Sequence, residues 1–311
     1  MVEAKKRDGA ETLKKLKEGC KKFGITAGML KRAFAEGRKK KMKIRRLLAG
    51  SNILRRLFFP LLSLFDFEIR IRHDITNRPF HLLSWRHKGC WFHGRSREEN
   101  EITFFRKLIK KGHNVLEIGG HIGYVTQYFE HLVGDKGRVI VAEPTPQSRK
   151  LLTKNVHKNT VILPVAASDS DGEMDFFVEE FGGFTNSLEQ EFTETTNISH
   201  SDTQHKNNAQ VRKIKVDVRS TDSICEELGL TPDFIKIDVE GAELRVLRGA
   251  TGTLRSVESL MVEVSRHHEL VYELLMEVGF QPYDSQGNAI QDGVFEGGNI
   301  FFSKNRKALG G

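Results

Sequence analysis

Val115-Leu116-Glu117-Ile118-Gly119-Gly120-His121-Ile122-Gly123 is the stretch whose reading decides the fold. A short apolar run ends in closely spaced glycines, and Tyr124 to Val133 then repeats apolar residues at helical spacing. That order spells strand, tight turn, helix. Lacking Cβ, glycines at such a junction let the backbone come close to a ligand. Outward from it the alternation continues. Arg138 to Ala142 reads as a strand, 146–158 as a helix and Val161 to Val165 as a strand. Asp233 to Asp238 is another strand, 242–250 a helix, Ser259 to Val264 a strand and 268–278 a helix. Strands alternating with helices imply a mostly parallel sheet covered on both faces. Gly279-Phe280-Gln281-Pro282 and Asn299-Ile300-Phe301-Phe302 suggest two last strands joined by a hairpin-like excursion.

The 311 residues suffice for one large domain or two ordinary ones. With 38% hydrophobic and 29% charged residues the chain excludes a collagen, a mostly disordered protein and a polytopic membrane protein. Its longest nearly apolar run, Leu57 to Phe65, falls far short of the about twenty residues a bilayer span needs. No secretory h-region opens the chain. Cys20, Cys90 and Cys225 lie far apart and form no C-x-x-C, which fits a reducing cytoplasm. The formal charge of +8 is local: residues 1–60 carry 19 Lys+Arg against 5 Asp+Glu, and the rest 30 against 36.

Three parts are expected. Residues 1–60 form a basic helical arm, with Leu13, Leu16, Cys20 and Phe23 at helical spacing and the run Arg38-Lys39-Lys40-Lys41. Such an arm is either packed with a solvated basic face or in peripheral contact with an anionic membrane or RNA. The cytoplasmic inner membrane surface is then its expected place. Residues 61–112 form an aromatic-rich lead-in. Its His73, His81, His87 and His93 match no metal-ligand spacing. Residues 113–305 form the main domain, interrupted by a polar loop within 180–210.

Glu143 ends the second strand, where an acid accepts hydrogen bonds from both ribose hydroxyls of an adenosine ligand. The glycines lack the G-x-G-x-x-G spacing of dinucleotide enzymes. Glu117, two residues before them, would repel a pyrophosphate but suit a cationic, amino-bearing ligand. S-adenosylmethionine, with its sulfonium and amino acid tail, is such a ligand.

These segments, with Val165-Ala166-Ala167-Ser168-Asp169 and Phe234-Ile235-Lys236-Ile237-Asp238-Val239-Glu240-Gly241-Ala242-Glu243, resemble the FkbM-type methyltransferases over about residues 95–303. The resemblance implies a class I, Rossmann-like three-layer α/β sandwich. Its sheet has seven strands, mostly parallel, with the last antiparallel. It also implies S-adenosylmethionine-dependent methylation of hydroxyl oxygens, often on sugars, glycans or secondary metabolites. The expected cofactor set is Glu117, Gly119, Gly120, His121, Gly123, Glu143 and Asp169. The family commonly shows Asp-x-Gly-Ala-Asn-x-Gly at the first motif, where this chain has Glu117, Gly120 and His121.

Period-two alternation puts Lys236, Asp238 and Glu240 on one face of their strand. Asp238 closes that strand at the carboxyl edge of the sheet and can act as general base toward a hydroxyl or orient the substrate, with Lys236 beside it. The alternative is an ion pair of Lys236 with a carboxylate, and Glu240 or Glu243 as charges at a helix N-terminus. His267 or His268, after the strand ending at Val264, is the rival base. A carboxylate trio could instead hold Mg²⁺, but no separate ligand set supports it, so no metal is assigned. The leading function is S-adenosylmethionine-dependent O-methylation. An RNA methyltransferase using the arm, a nicotinamide oxidoreductase and a membrane-bound adapter are the alternatives, with nucleic acid disfavoured because no amine-methylating Pro-Pro-Tyr motif follows the fourth strand.

Overall fold

Short apolar runs alternating with amphipathic ones build the main sheet, and its register positions the site. The computed structural model describes residues 65–92, 99–179, 186–189, 211–291 and 293–305. The basic arm and most of the polar loop lie outside the described residues. The chain divides into two compact units, Met1–Arg97 with Thr203–Asn208 and Glu98–Asp202 with Ala209–Gly311.

In the first unit, β1 (Glu68–Arg72) and β2 (Pro79–Leu83) pair as an antiparallel hairpin, followed by the short helix α1 (Lys88–Phe92). Ile69, Ile71, Phe80 and Leu82 bury one face of the hairpin. Two of the expected histidines serve the turns. His73 Nδ1 accepts the Ile75 amide at 3.2 Å and His87 Nδ1 the Leu83 amide at 2.9 Å.

The second unit begins with α2 (Glu99–Leu108), then β3 (Asn114–Ile118), α3 (Tyr124–Val133), β4 (Arg138–Ala142), α4 (Pro146–Asn155) and β5 (Val161–Leu163). After these come β6 (Ala166–Ser168), β7 (Gly172–Glu179), β8 (Val211–Ser220) and α5 (Thr221–Glu227). The chain continues through β9 (Phe234–Ile237), α6 (Glu243–Arg248), α7 (Thr251–Ser256), β10 (Ser259–Val264), α8 (His268–Glu277), β11 (Gln281–Tyr283) and β12 (Gly298–Ser303). Seven strands form one sheet in the order β11-β12-β10-β9-β3-β4-β5. Neighbours from β10 to β5 run parallel, and β12 is antiparallel to both β10 and β11. In order of appearance in this sheet, the strands read 6-7-5-4-1-2-3. This is the doubly wound class I methyltransferase arrangement, its crossover lying between β3 and β9.

Register assigns the faces. Val115, Val139, Phe234, Met261 and Phe301 share one face, where Phe105 of α2 meets Phe129 of α3, Phe234 and Phe301 at ring-centroid distances of 5.0, 5.9 and 5.7 Å. Leu116, Ile140, Ile235, Leu260 and Phe302 share the other, packed with Ile224 of α5, Val246 and Leu247 of α6, Leu254 of α7 and Val271 of α8. Helices therefore cover both sides, and the unit has three layers.

The antiparallel ladder of β7 and β8 was not foreseen from sequence. Its alternation is clear in retrospect. Phe176 and Val178 are buried with Val216 and Val218, while Asp175 faces out and pairs with Lys213 at 2.8 Å. Only the polar loop between the two strands had carried a signal. Among the described residues no helix is long and apolar enough to cross a membrane.

Phe105 is 1% exposed and touches rings from one helix and two strands. Phe105→Ala is expected to cost about 3–5 kcal/mol of unfolding free energy. Denaturant titration checks this; a loss below about 1 kcal/mol would show that the α2 layer is dispensable.

Candidate functional site

The site grows from one row of the sheet. Glu117 on β3 lies opposite Val141 on β4 and Lys236 on β9, and Lys236 lies opposite Met261 on β10. Two residues further along the strands, the next row on the same face is Glu143, Gly119, Asp238, Glu263 and Asn299. Backbone bonds carry the sheet into that row, with Glu143 N–H donating to Leu163 O, Gly119 N–H to Ala142 O and Asp238 N–H to Ile118 O, each at 3.0 Å. This row is the carboxyl edge of the parallel strands, where ligands bind in open α/β sheets.

At one end, Glu143 is 6% exposed and its carboxylate holds two turns together. Oε2 accepts the His121 amide at 2.8 Å, and Oε1 accepts the Thr145 amide at 2.9 Å and the Thr145 hydroxyl. Burial raises this carboxyl, and the bonds from Thr145 and His121 offset part of the rise. A carboxylate has about four acceptor positions, so one on Oε2 remains for a ligand hydroxyl.

The glycines serve the protein as much as a ligand. A Cβ on Gly119, at φ +89°, would sit 1.8 Å from Asp238 O, and one on Gly120 would sit 2.1 Å from Val141 Cγ2. Glycine at 119 lets the β3 turn touch the β9 turn. His121 and Glu240 nevertheless hold left-handed backbone at φ 46° and 53°, as does His267 at 53°. All three follow strands at this edge, and such non-glycine outliers gather at functional sites.

One row beneath Asp238, Lys236 is 4% exposed and lies 2.8 Å from Asp238 Oδ2 and 3.9 Å from Glu117 Oε1. Burial works against its charge, but the Asp238 and Glu117 carboxylates outweigh that and raise its pKa. In return, although burial pushes Asp238 up, the Lys236 ammonium prevails and holds it below the usual carboxylate range. Glu117 is 1% exposed and its Oε2 accepts the Thr126 hydroxyl at 2.5 Å. Its place is beneath the glycine turn, supporting Lys236 and α3.

Two acids beside Asp238 behave oppositely. The Asp238 charge and then burial push Glu263 up to about 10. Burial, followed by the Asp238 and Glu243 charges, takes Glu240 to about 9. One carboxylate oxygen from each of Asp238, Glu240 and Glu263 lies within 4.8 Å of the other two. Glu243 is fully buried, its Oε1 accepts the Gly241 amide at 2.7 Å, and burial brings it to about 7.

The structure thus brings Glu117, Gly119, Lys236 and Asp238 together and ties His121 to Glu143. Glu240 departs from the expected alternation, because β9 ends at Ile237 and the left-handed turn redirects the chain. Asp169 follows β6 in the small sheet and pairs with Arg245 at 3.5 Å, while Arg245 also holds Glu189 at 3.0 Å. His267 is exposed before α8, and no hydrogen bond or ion pair joins it to the Lys236–Asp238 pair. Glu263 was missed from sequence, where its one signal was a charge inside an otherwise apolar strand.

The donor set suits a cationic adenosine ligand. Glu143 offers a free acceptor at one end, and Asp238 and Glu263 continue the row, with Glu117 and the Lys236 ammonium beneath it. A family model described as the methyltransferase FkbM domain matches residues 117–286, more than half of the sequence. No curated protein matches it. Similar solved structures include an S-adenosylmethionine-dependent O-methyltransferase from Thermotoga maritima, at 11% identity over 67% of this chain and 65% of that one, with a TM-score of 0.36. Another is an S-adenosylmethionine-dependent methyltransferase from Aquifex aeolicus, at 14% identity over 70% and 96%, with a TM-score of 0.35. A third is fibrillarin from Aeropyrum pernix with bound S-adenosylmethionine, at 13% identity over 76% and 81%, with a TM-score of 0.33. All three are distant likenesses.

The raised Glu263 carboxyl sets a pH dependence. Above the ordinary carboxylate pKa the unfolded chain has released this proton, while the folded one keeps it up to about 10. Over that window the unfolded state binds fewer protons, so this group makes stability fall as pH rises. Glu263→Gln removes the effect. In buffer freed of divalent ions it is expected to raise the melting temperature more at pH 8 than at pH 5; an equal change at both would refute the assignment.

Proposed function

The chain belongs to the FkbM methyltransferase family and is an S-adenosylmethionine-dependent methyltransferase; on that premise we propose that its acceptor is a hydroxyl group of a sugar, glycan or secondary metabolite. The observation that carries the proposal is Asp238, a carboxylate held ionised by Lys236 at 2.8 Å on the edge row that also contains Gly119 and Glu143.

The cofactor supplies a methyl group on a sulfonium, already a good leaving group. The protein's work is alignment, exclusion of water and removal of one proton. Glu143 accepts from a ribose hydroxyl through the position left on Oε2. The turn from Gly119 to Gly123 bounds the same end, and His121 is fixed there by its own amide. Asp238 accepts the hydrogen bond of the acceptor hydroxyl and points its oxygen along the row. Its lowered pKa makes it a weak base in the resting site. That suffices, because a hydroxyl oxygen forming a third bond becomes strongly acidic and gives its proton even to a weak carboxylate. Lys236 keeps Asp238 ionised and oriented, so it is a positioning residue. His267, exposed and unpaired with this network, is the lesser candidate for the proton.

Glu143→Ala is expected to weaken S-adenosylhomocysteine binding tenfold or more, about 1.4 kcal/mol, measured by calorimetry on folded protein. Unchanged affinity would remove Glu143 from the cofactor site. Asp238→Asn should keep that affinity within a few-fold and lower turnover by about 10²–10⁴, once an acceptor has been found by screening hydroxylated metabolites for methyl uptake. Wild-type turnover in this variant would place the base elsewhere, and a change confined to KM would leave Asp238 only substrate binding.

A further inference from the structure

We propose that Asp238, Glu240 and Glu263 form a binding site for a divalent, oxygen-seeking cation such as Mg²⁺ or Mn²⁺, placed to hold the acceptor's hydroxyl oxygen. This deepens the methyltransferase reading of the same site and rests on it. Three carboxylate oxygens within 4.8 Å of one another match the spread of ligands around one such ion, whose oxygens stand about 2.0–2.6 Å away and hence up to about 4–5 Å apart. Two carboxylates come from the β9 turn and one from β10, so the sheet itself brings them together.

A second observation stands apart from the trio. Among the described residues five buried side-chain atoms lack a hydrogen-bond partner, and two of these are oxygens bordering this cluster, Glu243 Oε2 and Asn299 Oδ1. Glu243 is wholly buried, with its other oxygen fastened to the peptide that follows Glu240, and its charge acts on Glu240 while that of Asp238 acts on it. Asn299 lies directly across from Glu263 in the β10–β12 ladder, its amide nitrogen 2.7 Å from Glu101. The Ser265 hydroxyl and nearby amides offset only part of the rise that burial imposes on Glu243. A buried acceptor short of donors is costly, and a cation, or water fixed by one, would supply what each lacks. No basic side chain among the described residues forms an ion pair with Glu240 or Glu263. The charge of Lys236, which pairs with Asp238 and Glu117, reaches both without offsetting burial and the Asp238 charge, and Glu263 shares a hydrogen bond with Asp238. Carboxylates with a neutral amide oxygen nearby are the donor set of a hard cation, not of zinc or copper. Three protein oxygens leave coordination positions open for water and for the acceptor. A hydroxyl bound there loses its proton to solvent more readily, because the cation stabilises the oxygen's negative charge.

Mn²⁺ titration of the full chain near neutral pH tests this, read by calorimetry and by the paramagnetic resonance signal of free Mn²⁺. S-adenosylhomocysteine binding is measured on the same samples. One saturable Mn²⁺ with a Kd tighter than about 1 mM is expected. Glu263→Gln and Glu240→Gln should each weaken it tenfold or more and leave S-adenosylhomocysteine affinity within a few-fold. If Glu263→Gln fails to fold, Glu240→Gln carries the comparison. Absence of saturable Mn²⁺ binding to the wild-type chain, or equal Mn²⁺ affinity in every folded variant, overturns the cation site. S-adenosylhomocysteine binding distinguishes the two readings: if it persists while Mn²⁺ fails, only the cation site falls, and if it fails too, the reading of the whole site falls with it.

Discussion

One buried ammonium organises the centre of this protein. Lys236 enters the sheet with its charge because Asp238 and Glu117 compensate it, at 2.8 and 3.9 Å. Without them its desolvation would cost several kcal/mol, and without it two carboxylates would stand uncompensated in the same apolar layer. The arrangement ties β9 to β3, and through Thr126 it ties β3 to the helix that follows. It also divides the acids of the edge into two kinds. Asp238, next to the ammonium, is held ionised. Glu240 and Glu263 also feel it, but burial and the charge of Asp238 outweigh its attraction and push both upward.

Much of this architecture was legible because each strand of the main sheet is a compact apolar run bounded by polar or glycine signals. The runs at 115–118, 138–142, 234–237 and 259–264 needed only the alternation rule, and the resemblance to the FkbM family supplied the antiparallel last strand. The β7–β8 ladder escaped because its two strands are separated by 31 residues of largely polar chain and both mix charged with apolar residues. Pairing across such a gap depends on which faces meet in space, and no local pattern records that. The short helices α5 and α7 were likewise missed. Asp222 of α5 fastens the amides of Gly252 and Thr253 at the start of α7, a cap contributed from 30 residues upstream.

The positions of the candidate site were legible in the same uneven way, their roles being proposals. Lys236, Asp238, Glu143 and the glycine turn follow from one rule, that ligands gather beyond the carboxyl ends of parallel strands. The role of Glu117 depended on information absent from the sequence. Only the register shows it opposite Lys236 and under the turn, 1% exposed. Glu263 needed the strand order as well, since β10 becomes the neighbour of β9 only once the sheet is assembled. Asp169 was placed by its nearness to the third strand. The chain leaves the main sheet at Leu163 and enters the small one at Ala166, where Arg245 engages it.

The contact between Gly119 and the carbonyl of Asp238 has a consequence for entropy. With no room for even a methyl group between them, the turn proposed to meet the cofactor and the residue proposed to meet the acceptor share one set of thermal fluctuations. Disorder in either would have to be disorder in both, and the sheet beneath forbids it. The freedom of these two segments is therefore surrendered when the chain folds, before any ligand arrives. If the proposed roles hold, binding needs to immobilise chiefly the ligands themselves, and the angle between methyl donor and methyl acceptor is inherited from the fold.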